Sequence, residues 1–117
     1  MNARDSFVHY LNRYAAKDLA GIDALLTDGV TLRDWNIAVR GRAAVLHETQ
    51  KNFDDARSIQ IEVLRLHEAP GSVSGELRIV VDGTIELFVV DVIDFDAAAR
   101  VTAIRSYKGR GDDHTPR

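Results

Sequence analysis

The chain has 117 residues, 45% of them hydrophobic and 28% charged, with a formal net charge of −3 and no cysteine. This length supports one domain with its own core. The acidic balance argues against a protein that tracks nucleic-acid phosphates, and the missing thiols exclude disulfides, cysteine nucleophiles and cysteine zinc sites. No segment has the continuous apolar run of a signal peptide or a membrane span, so the expectation is a soluble cytoplasmic domain with neither membrane nor nucleic acid as partner.

Phe7, Tyr10, Leu11 and Tyr14 recur at helical spacing and predict an amphipathic first helix from about Arg4 to Ala16. Asp18 is placed to cap a short second helix with the stripe Leu19, Ile22, Leu25 and Leu26, ended by "TDG". "VTLRDW" reads as a strand. A third helix runs from about Arg42 to Phe53, with Val45, Leu46, Thr49 and Phe53 on one side. The period then changes to two. Ser58 to Glu68 is a strand whose apolar parity switches near Val63 and Leu64, the mark of a bulge or of burial on both faces. "APGS" is a turn, Val73 to Val81 alternates, and Asp82-Gly83 signals a hairpin. Strands from Ile85 to Asp96 and from Val101 to Lys108 flank a turn at "DAAAR". One α+β domain over 1–109 is expected, three N-terminal helices packed on a curved, mostly antiparallel sheet, with a frayed polar tail over 110–117. A fold of that kind leaves a pocket between the concave face and the helices.

In the strand "IELFVVDVIDFD", Leu87, Val89, Asp91, Ile93 and Phe95 share one face, so Asp91 has only apolar neighbours on its side. Val30, Leu32 and Asp34 likewise share a face of the earlier strand, with Trp35 on the other, and Tyr10 lies within the apolar stripe of the first helix. Burial raises a carboxyl's pKa. An Asp91 protonated at neutral pH and Tyr10 could then donate to a developing enolate oxygen, while a less buried, ionised Asp34 removes a proton from the carbon beside the carbonyl. The competing structural account pairs Asp91 with Arg105 or the backbone, puts Asp34 in a solvated loop and treats Tyr10 as core. Arg105 shares strand parity with Val101, Ala103 and Tyr107. Arg105 reads as a salt-bridge partner, while an inward Arg105 between the two carboxyls would suit water activation for epoxide opening. His9, His47, His67 and His114 have no metal-ligand spacing, and "RGD" at Arg110 to Asp112 is a chance match in the tail.

The segments "YLNRYAAKDLAGIDALLTDGVTLRDW", "VRGRAAV" and "VVDVIDFDAAARVTAIRSYKG" resemble the NTF2-like, or SnoaL-like, superfamily of cone-shaped α+β folds, and within it most nearly the ketosteroid isomerases. Counted from "DL.GI.AL" and from the turn before the last strand, that resemblance implies Tyr10 as the oxyanion tyrosine, Asp34 as the base and Asp91 as the protonated acid. Trp35 stands where those isomerases usually have proline, and Thr49 where they have a supporting tyrosine. Tyr14, Trp35, Thr49, Phe53 and Arg105 are expected to line the pocket. The implied ligand is a small apolar carbonyl compound, no metal or organic cofactor is called for, and a homodimer would cover the outer residues Phe88, Val90 and Val92. The alternatives are an epoxide hydrolase or polyketide cyclase on the same scaffold, using Asp34, Arg105 and Asp91, and a non-enzymatic binding or dimerisation module.

Overall fold

A computed structural model describes residues 1–109; the expected tail with "RGD" and His114 lies outside the described residues. Helix α1 (Ala3–Ala15) begins at a capping box, in which the Asp5 N–H donates to the Asn2 side chain at 2.8 Å and the Asn2 N–H donates back to Asp5 at 3.3 Å. It ends with Lys17 in the left-handed region at φ 55, its N–H bonded to Tyr14 O while the Asp18 N–H reaches Arg13 O. This close fixes the last turn of α1, which carries Tyr14. Asp18 caps α2 (Leu19–Asp23) by accepting from the Gly21 N–H. The second helix is shorter than its apolar stripe predicts. Leu26 already belongs to strand β1 (Leu26–Arg33), where it pairs in parallel with Val101, and "TDG" lies within that strand as the irregular stretch before pairing resumes at Thr31.

A strand the sequence does not announce follows: β2 (Ala38–Arg40) pairs antiparallel with β1 around a turn at residues 34–37. Three residues with little apolar alternation leave no period to read. Gly41, at φ 95, leads into α3 (Arg42–Asp55), which buries Val45, Thr49 and Phe53. Strands β3 (Ile59–Ala69), β4 (Ser72–Val81), β5 (Ile85–Phe95) and β6 (Val101–Lys108) form the meander. Asp82 and Gly83 both take positive φ in the β4–β5 turn, which the Thr84 N–H closes onto Val81 O at 3.2 Å.

The six strands run β2-β1-β6-β5-β4-β3, with β1–β6 the parallel pair. Three irregularities shape the sheet, one of them in the parallel pair, whose register shifts between Leu26 and Thr31. Between β3 and β4 the register shifts at Leu64, where the apolar parity of the sequence also changes. Between β5 and β6 it shifts around Thr102, since Asp94 faces Ala103 and Phe95 faces Val101. The helices cover one face, with Phe7, Leu11, Ile22, Val45, Leu77, Ile93 and Ile104 in the core. Gly75 makes room for this packing: a Cβ there would come within 2.8 Å of the Phe7 ring. The outer face mixes half-buried Phe88, Val90 and Val92 with ion pairs of Arg78 to Glu86 and Arg105 to Asp94. Among the described residues no helix is long and apolar enough to cross a membrane.

Candidate active site

The concave face and the helices enclose a cavity of about 460 Å³. Leu32, Ile61, Ile79, Leu87, Val89 and Ile104 make much of its wall, into which Tyr10, Tyr14, Asp34, Asn52, Asp91 and Ser106 intrude as polar groups. Strand alternation delivers Asp91 here. It lies in line with Leu87, Val89 and Ile93 on the covered face of β5 and is 8% exposed. Its neighbours across the sheet are Gly75 and Ser106, one without a side chain and the other with a hydroxyl. Ser106 Oγ donates to Asp91 Oδ1 at 2.6 Å. Loss of hydration outweighs that single bond and pushes the Asp91 carboxyl up to about 6. In the open cavity the protonated form therefore dominates below that pH and is a minority at neutrality.

Tyr10 is 5% exposed and reaches the cavity from the middle of α1. Burial pushes its phenol well above the ordinary value, and the nearby Tyr14 and Asp91 add to the push. Such a phenol stays a hydrogen-bond donor throughout the physiological range. Tyr14 sits one turn later on the same helix, its ring centre 6.0 Å from that of Tyr10, and its hydroxyl accepts from Asn52 Nδ2 at 2.9 Å. Burial raises its pKa too, opposed by the Asn52 bond and assisted by Asp91 and Asp34.

Asp34 comes from the β1–β2 turn. Its Oδ1 accepts the N–H groups of Asn36 at 2.7 Å and Ile37 at 2.9 Å, and its own N–H closes the turn onto Ile37 O. This local arrangement is the Asx turn that aspartate favours. It holds the half-buried carboxyl at the cavity and leaves Oδ2 as the oxygen outside the turn. Trp35, 46% exposed, lines the same cavity although strand parity places it on the other face. The chain has left β1 at Arg33, so alternation no longer applies. Thr49 lines the cavity but donates its hydroxyl to Val45 O at 2.9 Å, which leaves it unable to stand in for a phenol behind Tyr10.

Two expected lining residues lie elsewhere. Phe53 is buried in the core, its ring edge-on to Tyr14 at 5.0 Å, and supports the wall without reaching the cavity. Arg105 is on the outer face, held by Asp94 through bonds of 2.8 and 3.0 Å. The bulge at Thr102 inverts the parity between Val101 and the rest of β6, so Ile104 and Ser106 turn inward and Arg105 outward. Ser106 and Asn52 were missed for related reasons. The first is concealed by that bulge, and the second is an ordinary polar residue near the end of α3 whose partner is 38 positions away. Among the described residues no three His, Asp or Glu side chains gather as metal ligands.

Residues 7–104 match the family model of the SnoaL-like domain. The chain is 32% identical over 108 residues to the steroid Δ-isomerase of Nocardioides simplex, covering 88% of this chain and 86% of that one. Its fold is similar to that of a candidate ketosteroid isomerase from Kribbella flavida, with TM-score 0.82 and 18% identity over 98% of this chain and 83% of that one. It is also similar to an LEH-like epoxide hydrolase from M. tuberculosis, with TM-score 0.77 and 18% identity over 92% of this chain and 82% of that one. The architecture is the NTF2-like one, and the chain belongs to the SnoaL-like domain family.

Proposed function

We propose that this protein binds a small, largely apolar carbonyl compound and moves a proton beside the carbonyl, as a cofactor-free isomerase. The observation that carries this reading is that Tyr10, Asp34 and Asp91 open onto one mostly apolar cavity. Asp34 Oδ2 takes the proton from the carbon next to the carbonyl, since Oδ1 is occupied by the backbone of the turn. The electron pair moves onto the carbonyl oxygen, where Tyr10 and protonated Asp91 donate to it in surroundings that strengthen both bonds. Asp34 returns the proton two carbons further on, converting a β,γ-unsaturated ketone into its conjugated isomer with no net change in atoms or electrons. The likeness to a steroid Δ-isomerase makes a Δ5-3-ketosteroid the first substrate to try. Bound ligand expels water from around Asp91, and further desolvation favours the neutral acid the reaction needs.

The water-activating alternative relied on Arg105 between the carboxyls, and Arg105 is engaged with Asp94 on the other face. The test is conjugated-enone absorbance with wild type and Asp34→Asn. The variant is expected to keep its circular dichroism and lose about 10²–10⁴-fold in turnover. Undiminished turnover by the variant, or none by the wild type across carbonyl substrates, removes the isomerase reading.

A further inference from the structure

We infer that Tyr14 and Asn52 form a second polar recognition point in the cavity, so that the ligand carries an acceptor oxygen about one ring-width from its reacting carbonyl. The inference rests on the reading of Tyr10 and Asp91 as the carbonyl's partners and specifies the class of compound they receive.

The Asn52 amide donates to the Tyr14 oxygen at 2.9 Å, and both residues line the cavity. A phenol has a single proton. Because Tyr14 uses its oxygen as acceptor here, that proton is directed away from Asn52 and is available to a ligand. The ring is held on two further sides, edge-on to Phe53 at 5.0 Å and tilted against Tyr10 at 6.0 Å. A donor fixed in this way loses little freedom when it binds.

Tyr10 and Tyr14 stand one turn apart on α1, so their side chains share a face. A ligand whose carbonyl oxygen meets Tyr10 and Asp91 presents to Tyr14 whatever it carries at the next position along that wall. A hydrocarbon edge there would cover the phenol's proton and leave it unmatched, which disfavours binding. A hydroxyl or second carbonyl would satisfy it. The Asn52 amide keeps another N–H and its carbonyl for the same group. The favoured class is therefore a compact dioxygenated ring compound, a hydroxyketone or dicarbonyl, over a ketone with a bare hydrocarbon frame.

Fluorescence titration with 1-naphthol and 1,5-dihydroxynaphthalene tests this, because the second probe adds one oxygen across the same ring system. Wild type is expected to bind the diol about tenfold more tightly than 1-naphthol. Tyr14→Phe, which keeps the ring contacts and removes the proton a bare edge leaves unmatched, should bring the two probes within about twofold, with 1-naphthol bound more tightly than by wild type. Asn52→Leu should lose part of the preference. A diol preference that survives Tyr14→Phe intact overturns the inference. The underlying reading fails separately, if 1-naphthol affinity is indifferent to Tyr10→Phe and to Asp91→Asn.

Discussion

Asp91 and Asp94 lie on the same strand and face opposite sides of the sheet, and the two faces treat the same side chain in opposite ways. Facing the cavity, Asp91 has one hydroxyl partner among apolar walls, and loss of hydration pushes its carboxyl up to about 6. Facing outward, Asp94 has the Arg105 guanidinium on both oxygens, and that pairing holds it below its usual value of 3.8 against a smaller opposing effect of burial. Chain position and residue type barely differ. What differs is whether a cation can stand beside the carboxyl, and strand alternation together with the bulge at Thr102 decides this. An acid that a proton-transfer site can use and an aspartate that secures a surface are thus products of one strand.

The largest way to break this contrast is Asp91→Asn. Raising the carboxyl from 3.8 to about 6 in the fold corresponds to about 3 kcal/mol. The folded state holds the proton more tightly than the unfolded chain, so wild type loses stability as pH climbs from about 4 to about 6, and the penalty is complete above that. A neutral amide at this position would carry no such penalty. The variant should gain on wild type across this window by up to about 3 kcal/mol in urea unfolding, with the gap closing below pH 4. A gap that does not change with pH would mean Asp91 is not desolvated.

A smaller effect sharpens the same side of the contrast. Ser106→Ala removes the hydrogen bond that favours the charged form of Asp91, so the carboxyl's infrared titration midpoint should rise by about one pH unit. A midpoint that stays near 6 would show that Ser106 does not tune it.

The smallest expected effect is on the outer face. Asp94 is ionised more readily in the fold than out of it, so its contribution is present above its ordinary pKa and is lost as pH falls through its depressed value. The pair is partly exposed, and solvent screening limits Asp94→Asn to under about 1 kcal/mol at neutral pH. Binding in the cavity should be unaffected. Weakened naphthol binding in this variant would show that the two faces are not independent.

Much of the fold was legible because it rests on local periods. The helical stripe of Phe7, Tyr10 and Leu11, the Asp82-Gly83 hairpin and the parity change at Leu64 are each written in a few consecutive residues. Asp91 was legible on the same ground, since β5 runs without a break from Leu87 to Ile93. Arg105 was misplaced because one extra residue at Thr102 inverts everything after it, and no local pattern marks that residue. Trp35 lines the cavity as expected, from a turn where strand parity no longer applies, and β2 is too short to have a period.

The sequence by itself determined the elements other than β2, their order along the chain and the apolar side of β5, because hydrophobic alternation is a property of neighbours along the chain. It also marked Tyr10, Asp34 and Asp91 as polar groups on apolar faces. Tertiary structure alone decided that all three open onto one cavity, that Arg105 turns away from it, and that Asn52 and Ser106 reach Tyr14 and Asp91. These outcomes depend on sheet register and helix docking, which bring together residues far apart in the chain. Register is settled by the packing of the whole sheet against its helices, and no short stretch of residues contains that information.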